Sequence, residues 1–192
     1  YGDTAWIGIT PFTVRDARPP SLPAIPWLSD FHEINVRTYV HLNGIPGVWF
    51  FSLDANSLAA VAGAQALFRL PYRYADMSME EHGDRIDYKS SRTDEMSPAM
   101  FKASWKVGED VGVARPGSIE FFLVERYCFY TADGDKIYRS RIHHEPWQLR
   151  RAELIHYEST MIEAQGLPTP EGKTLLHFSE GVKAEIWALE EV

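Results

Sequence analysis

The chain has 192 residues, a formal net charge of −8 and a hydrophobic fraction of 45%. This length suits one compact domain, and the apolar content excludes an intrinsically disordered polymer. The acidic balance disfavours non-specific nucleic-acid binding, which needs a basic surface to meet the phosphates.

Cysteine content and hydropathy indicate the compartment. The single cysteine, Cys128, cannot form an intrachain disulfide, which favours a reducing environment. No run of about 18 apolar residues predicts a membrane span, and the first residues lack the basic and apolar regions of a secretory signal. We therefore expect a soluble cytoplasmic protein that binds neither membrane nor nucleic acid.

Short strands separated by turn residues dominate the chain. The predicted strands cover residues 4–13, 34–41, 48–54, 72–79, 85–91, 101–107, 127–132, 136–144, 151–157, 175–179 and 182–189. The clearest hairpin turn is Asp133-Gly134, since a two-residue Asp-Gly loop has a twist that matches the flanking strands. Turns at residues 43–47 and 81–84 predict two further hairpins.

Helices are few. The first is predicted over residues 57–69, with Leu58, Val61, Ala62, Gln65 and Phe68 on one face. A second is predicted over residues 118–126, and a short third over residues 159–165. Loops are predicted at 15–26, which contains four prolines, at 91–98 and at 166–172.

These elements predict an α+β, mainly β fold. About ten short strands with hairpin connections indicate a curled antiparallel sheet or β-barrel with two or three packed helices. The 57–69 helix should pack on the outer face of the sheet. Residues 48–51, which are bulky on both faces, are typical of a strand covered on both sides.

Polar residues alternate along the strand at 34–41. Asn35, Arg37 and Tyr39 share one face, which is either exposed to solvent or part of the polar interior of a barrel. In an interior, Arg37 would bind an anion, because guanidinium pairs with carboxylate in bidentate fashion.

His144 falls on the apolar face of the hairpin that contains Asp133-Gly134. It is either an acid/base group in a pocket or a core histidine with its hydrogen bonds satisfied. The preceding His143 points to the opposite face, so the two cannot easily hold one metal. We predict no metal and no cofactor.

The opposite face of this hairpin carries Arg126, Arg139 and Arg141. Such a basic strip is typical of a solvated face or of pairing with Glu120 and Glu125. Cys128, which lies between these arginines, fits a small core side chain better than a reactive thiol.

Several motifs together carry a family resemblance. They are residues 31–40 (FHEINVRTYV), 47–55 (GVWFFSLDA), 70–72 (LPY), 125–127 (ERY) and 142–147 (IHHEPW). They resemble the YqjF-like family of uncharacterised conserved proteins over nearly the whole chain. This resemblance implies that an N-terminal segment precedes the single domain at residues 1–192, so that strand 4–13 would be internal and leave an exposed edge or groove here.

The order of these motifs is also similar to acetoacetate decarboxylase. Residues 31–33 (FHE) stand where that family has Tyr-x-Glu, and residues 69–73 stand where it has its lysine motif. Here Tyr72 and Arg73 replace the lysines. Since a phenol cannot form an imine and arginine stays protonated, the resemblance implies no Schiff-base decarboxylase chemistry. Lys89 lies in a different strand and fits a solvated lysine.

The residues and the resemblance together predict a small-molecule-binding barrel with a pocket for a small carboxylate or keto compound. The lining residues would be Glu33, Asn35, Arg37, Tyr72, Arg73 and His144. Arg37 or Arg73 would hold an anionic group, and His144 or Glu33 would move a proton. Two alternatives stay open: an imine-independent lyase or hydratase acting on a keto acid, and a non-catalytic interaction module. The oligomeric state is left open.

Overall fold

The computed structural model describes residues 1–18, 29–172 and 174–192. Its strands are β1 (Ile7–Val14), β2 (Phe31–Leu42), β3 (Ile45–Ala55), β4 (Tyr72–His82), β5 (Arg85–Arg92), β6 (Met100–Val113), β7 (Cys128–Asp133), β8 (Lys136–His144), β9 (Gln148–Ser159), β10 (His177–Phe178), β11 (Ala184–Ile186) and β12 (Glu190–Glu191). Its helices are α1 (Leu58–Phe68), α2 (Ile119–Val124) and a 3₁₀ turn (Glu163–Gln165). The mainly β prediction is confirmed.

The twelve strands of the described residues belong to one curled sheet with β3 at its centre. One edge of β3 pairs with β2 along most of its length. Its other edge pairs with β4 at residues 53–55 and with β7 at residues 48–49. The sheet therefore divides at β3 into one arm of β4, β5, β6, β9 and β10 and a second arm of β7, β8, β11 and β12.

Two short pairings depart from the expected antiparallel pattern. β3 is parallel to both β4 and β7, while every other described pair is antiparallel. A parallel pair needs a crossover connection instead of a hairpin, and α1 is the crossover between β3 and β4. The three hairpins predicted from turn residues are confirmed as β2–β3, β4–β5 and β7–β8.

Helix α1 begins where the sequence predicts it. Ser57 caps it by accepting a hydrogen bond from the Ala60 amide, as an N-cap serine does. Val61 and Phe68 pack into the core beside β3 and β4. Leu58, which was predicted to share this face, is 69% exposed, and Ala62 and Gln65 are exposed as well, so the buried face of α1 is narrower than the sequence pattern predicts.

Two apolar clusters lie against opposite faces of the central strands. One includes Ile34, Val36 and Tyr88. The other includes Leu53 and Tyr72 and lies beneath α1. Successive residues of a strand point to opposite faces, so β2 contributes side chains to both clusters.

The C-terminal strands are shorter than predicted. The 175–179 strand is reduced to two residues, and the 182–189 strand is reduced to β11. Beyond it lies β12, and both β11 and β12 pair with β8. The proline-rich stretch predicted at 15–26 falls largely outside the described residues. Within the described part, β1 pairs only with β2, and no helix has the length and apolar character needed to span a membrane.

Candidate functional site

The six residues predicted to line one pocket occupy three places. Glu33, Asn35 and Tyr72 lie together beneath α1. Arg37 and His144 lie near the end of α2, where both contact residues 123–126. Arg73 lies apart from both groups.

Glu33 and Tyr72 form a buried hydrogen-bonded pair. The Tyr72 hydroxyl donates to Glu33 Oε2 over 2.7 Å, and only 4% of Glu33 is exposed. The register places Tyr72 beside Leu53 of β3, and Leu53 opposite Asn35 of β2, so all these side chains share one face. Sequence reasoning selected both members of this pair, and the sheet register brings them together.

Burial dominates the electrostatics of this pair. It raises the pKa of Glu33 to about 7, although hydrogen bonds from Tyr72 and Asn35 act in the opposite direction. Burial also raises the pKa of Tyr72 well above its usual value, and the Glu33 carboxyl adds to this effect. A carboxyl with this pKa can hold or release a proton near neutral pH, which is the property a general acid or base requires.

Tyr88 was not selected from the sequence but supports Glu33 from the other face. Its hydroxyl donates to the Glu33 backbone carbonyl over 2.9 Å, and only 1% of Tyr88 is exposed. Tyr88 is a β5 residue in a predicted strand, and nothing in the local sequence indicates a contact with β2.

A second buried pair joins Asp54 and Arg92. Arg92 donates to the two carboxylate oxygens of Asp54 over 2.8 and 3.1 Å, and the two side chains are 1% and 0% exposed. Arg92 also donates to the backbone carbonyl and hydroxyl of Ser97. Sequence reasoning missed this pair, although an aspartate within the apolar run Phe50–Ala55 is a sign of a buried partner.

Arg73 lies away from Tyr72 and Glu33. It follows Tyr72 on β4, so it points to the opposite face of the strand. That face also carries Asp54, its register neighbour on β3. The Arg73 side chain is 46% exposed and reaches Asp94 at 3.9 Å.

Arg37 lies beside the C-terminal end of α2. Its Nη2 donates to the Leu123 carbonyl over 3.3 Å, and its guanidinium carbon lies 5.8 Å from the centre of the Tyr39 ring. Its Nε is buried with no hydrogen-bond partner among the described residues. A Cβ on Gly8 would stand 3.2 Å from the Tyr39 hydroxyl, so glycine in β1 leaves room for these side chains.

Arg126 lies next to Arg37 and was assigned by the sequence to a solvated strip. The three arginines of that strip have different partners. Arg139 and Arg141 pair with Glu190, not with the predicted Glu120 and Glu125. Arg126 instead donates to the Glu125 backbone carbonyl, and its Nε is a second buried donor lacking a partner in the described chain.

His144 is buried between two aromatic rings. It stacks on Tyr127 at 4.7 Å and meets Trp147 at 5.4 Å. One ring nitrogen contacts the Glu145 carbonyl at 2.8 Å, and the other contacts the Arg126 carbonyl at 3.3 Å. Both nitrogens thus lie near backbone carbonyls, and each tautomer of a neutral ring donates to one of them.

Two depressions of the described surface contain none of these groups except Tyr88, which lines the larger one. The larger is open, has a volume of about 310 Å³ and is lined by charged side chains on β4, β5, β6 and β9. Lys89 and Lys102 face each other across the strands there. Neither depression includes a predicted lining residue.

The fold defines the class of protein. The structure is similar to acetoacetate decarboxylase from Legionella pneumophila, with a TM-score of 0.56, 13% identity and coverage of 97% of this chain and 84% of the other. A second acetoacetate decarboxylase structure gives a TM-score of 0.52 and 11% identity over 97% of this chain and 86% of that one. At this identity the likeness shows an acetoacetate-decarboxylase-like fold.

The sequence comparison is more specific. Residues 1–183 match the DUF2071 family model, described as an uncharacterized conserved protein. The uncharacterized protein YqjF of Bacillus subtilis is 41% identical over 189 residues, which cover 98% of this chain and 78% of that protein. The chain therefore belongs to the DUF2071 family, and the predicted resemblance is confirmed.

Proposed function

We propose that this protein binds a small carboxylate or keto compound through Arg37, without Schiff-base chemistry. The observation that carries the proposal is the charge of Arg37, which no carboxylate of the described residues compensates. Residues 19–28 and 173, which lie outside that part, contain no Asp or Glu. A half-buried guanidinium with a buried, unused donor gains most from an added anion, since the donor has already lost its water.

The side chains around Arg37 suit an organic anion. Tyr39 and Phe122 lie in ring contact at 4.9 Å, and both are only partly exposed. They offer apolar surface to a carbon skeleton while the guanidinium binds its carboxylate. Binding sites for small organic ligands combine apolar surface of this kind with few, well-placed polar groups.

Two observations support the absence of Schiff-base chemistry. Tyr72 is hydrogen-bonded to Glu33, and Arg73 points towards Asp94, so neither position supplies an amine. The five lysines of the described residues are all exposed, whereas many Schiff-base lysines are desolvated. Lys89, which faces Lys102 across β5 and β6, is the lysine with a neighbouring cation and is the first to check. Incubation with acetoacetate and borohydride should leave the intact mass unchanged, and a stable adduct on Lys89 or another lysine would contradict this part of the proposal.

A second candidate function is an imine-independent lyase or hydratase acting on a keto acid. Glu33 favours it, because a buried carboxyl with a pKa of about 7 can transfer a proton at neutral pH. Glu33 and Arg37 share a face of β2 four residues apart, a separation of about 13 Å along a strand. In this alternative, Arg37 binds the carboxylate of the keto acid and Glu33 transfers the proton. Turnover of any such substrate should therefore be lost in Glu33→Gln.

A non-catalytic interaction module is the other alternative. Its support is a set of large apolar side chains that the chain leaves exposed: Leu58, Leu67, Met96, Leu154, Ile155, Tyr157, Ile186 and Trp187. They are spread over several elements, whereas an interaction site is one contiguous patch.

The proposal also places the protein in the cytoplasm, which the single, buried and unpaired Cys128 supports.

Thermal stability tests the main proposal. Acetate, propionate and pyruvate, with ionic strength matched by sodium chloride, should raise the melting temperature, because a ligand that binds only the folded state stabilises it by mass action. Arg37→Met should abolish this shift while leaving the circular dichroism spectrum unchanged. Arg141→Met is the matched control, since Arg141 is exposed and pairs with Glu190. If no carboxylate stabilises the protein, or Arg37→Met responds as the wild type does, the proposal is wrong.

A further inference from the structure

Arg126 is a second cation in the same place as Arg37. Its guanidinium carbon lies 5.5 Å from the centre of the Tyr39 ring, on which Arg37 also lies, and 4.5 Å from the centre of the Phe122 ring. Two residues far apart in sequence, on β2 and after α2, thus bring two positive charges to one pair of aromatic rings.

The two charges are placed at an energetic disadvantage. Burial lowers the pKa of Arg126, and the neighbouring Arg37 acts in the same direction. Arginine does not lose its proton in proteins, so the repulsion persists in the folded state. Each guanidinium also carries a buried Nε without an acceptor among the described residues, and a buried donor without a partner destabilises the fold.

The nearest acid does not relieve this arrangement. Glu125 directly precedes Arg126, but its carboxylate accepts from the Tyr127 hydroxyl at 2.6 Å and from the Trp147 amide at 3.0 Å. Over the described residues, no ion pair joins Arg126 to a carboxylate. By contrast, Arg139 on the adjacent hairpin is bound by Glu190 at 2.6 Å. This partly buried arginine therefore has the carboxylate partner that Arg126 lacks among the described residues.

We infer that Arg37 and Arg126 together form a binding site for a small, doubly charged oxyanion, such as a dicarboxylate. Each guanidinium binds one charged group, and Tyr39 and Phe122 contact the atoms between them. A ligand with two negative charges removes the repulsion and supplies acceptors to both donors, whereas a ligand with one charge satisfies only part of the site. This inference rests on the proposed function and names the ligand class for the same site.

The test compares dianions with monoanions at about pH 8 and constant ionic strength. Malonate, succinate and inorganic phosphate are the doubly charged probes, and acetate and propionate are the singly charged ones. Isothermal titration should give dissociation constants at least about tenfold lower for the best dianion than for the monoanions, since one more charge-assisted contact forms. The phosphate arm distinguishes a phosphate-type ligand from a dicarboxylate.

Variants of Arg126 assign the second charge. Arg126→Met should remove the advantage of the dianions, so that dianions and monoanions bind this variant with dissociation constants within about threefold of each other. Arg126→Lys should restore part of the advantage, because it keeps the charge but not the planar fork. It also serves as the folded variant if methionine at this position disturbs the chain around His144.

The outcomes separate this inference from the proposed function. Binding of monocarboxylates without any preference for dianions, or a preference that survives in Arg126→Met, overturns the inference and leaves the proposed function standing. An absence of binding by every probe overturns both. Loss of monocarboxylate binding in Arg37→Met together with loss of dianion preference in Arg126→Met supports both.

Discussion

Two arginines of the sheet have opposite surroundings. Arg92 is 1% exposed, and both its carboxylate partner Asp54 and Ser97 accept its hydrogen bonds. Arg37 is half-buried, donates to one carbonyl and leaves Nε without a partner among the described residues. A guanidinium whose donors are all used stabilises the fold, and one with unused buried donors is available to a ligand.

The largest expected loss of stability comes from replacing Arg92, the arginine whose hydrogen-bond donors are all used. Arg92→Met should destabilise the protein by about 3–5 kcal/mol, because it leaves Asp54 as an uncompensated buried carboxylate. The same substitution at Arg37 should change the free energy of unfolding by less than about 1 kcal/mol, since methionine keeps the packing of the apolar stem. Urea unfolding of both variants measures the difference. Equal losses would show that Arg37 is a structural residue and remove the contrast.

Glu33 extends the comparison to buried acids. Its hydrogen-bond donor is the neutral hydroxyl of Tyr72, whereas the donor to Asp54 is the cation Arg92. The folded pKa of Glu33, about 7, lies above the ordinary value of 4.5. The stability that it contributes is therefore fully present below pH 4.5 and is lost as the pH rises through about 7. Between about pH 5 and pH 8, the free energy of unfolding of the wild type should fall relative to Glu33→Gln by an amount on the order of 3 kcal/mol.

Urea unfolding at several pH values gives this difference directly. The neighbouring Asp54, whose pKa burial also raises, is present in both proteins, so only its interaction with Glu33 differs between them. Parallel pH profiles for the two proteins would mean that Glu33 has an ordinary pKa and cannot serve as the proton donor of the lyase or hydratase alternative.

A smaller effect than that of Glu33→Gln is expected from the neutral donor, Tyr72. Tyr72→Phe removes the hydrogen bond to Glu33 and should cost about 1–2 kcal/mol, since a buried acceptor loses its partner. Because this hydrogen bond lowers the pKa of Glu33, its loss should also move the pH-dependent fall in stability to higher pH. The midpoint of that fall, measured by urea unfolding, is the readout. An unchanged midpoint would assign the Glu33 pKa to burial alone.

Local chemistry made much of the fold predictable from the sequence. The Asp133-Gly134 turn specifies its hairpin because few residues accept that backbone conformation. Ser57 marks the start of α1 because its side chain can replace a missing helical acceptor. Both features depend on residues within a few positions, as does the strand alternation that placed Asn35 and Arg37 on one face. The family motifs added the fold class.

Contacts between distant segments could not be read in this way. Arg126 was assigned to a solvated strip because alternation along the predicted hairpin says nothing about α2 or β2, where the neighbours of Arg126 lie. The same reason explains why the parallel pairing of β3 with β4 and β7, and the partner of Arg92, were missed. The sequence by itself determined the strand pattern and the hairpins. The tertiary structure alone decided which arginines find a carboxylate, because long-range packing sets which charges meet and which stay unpaired.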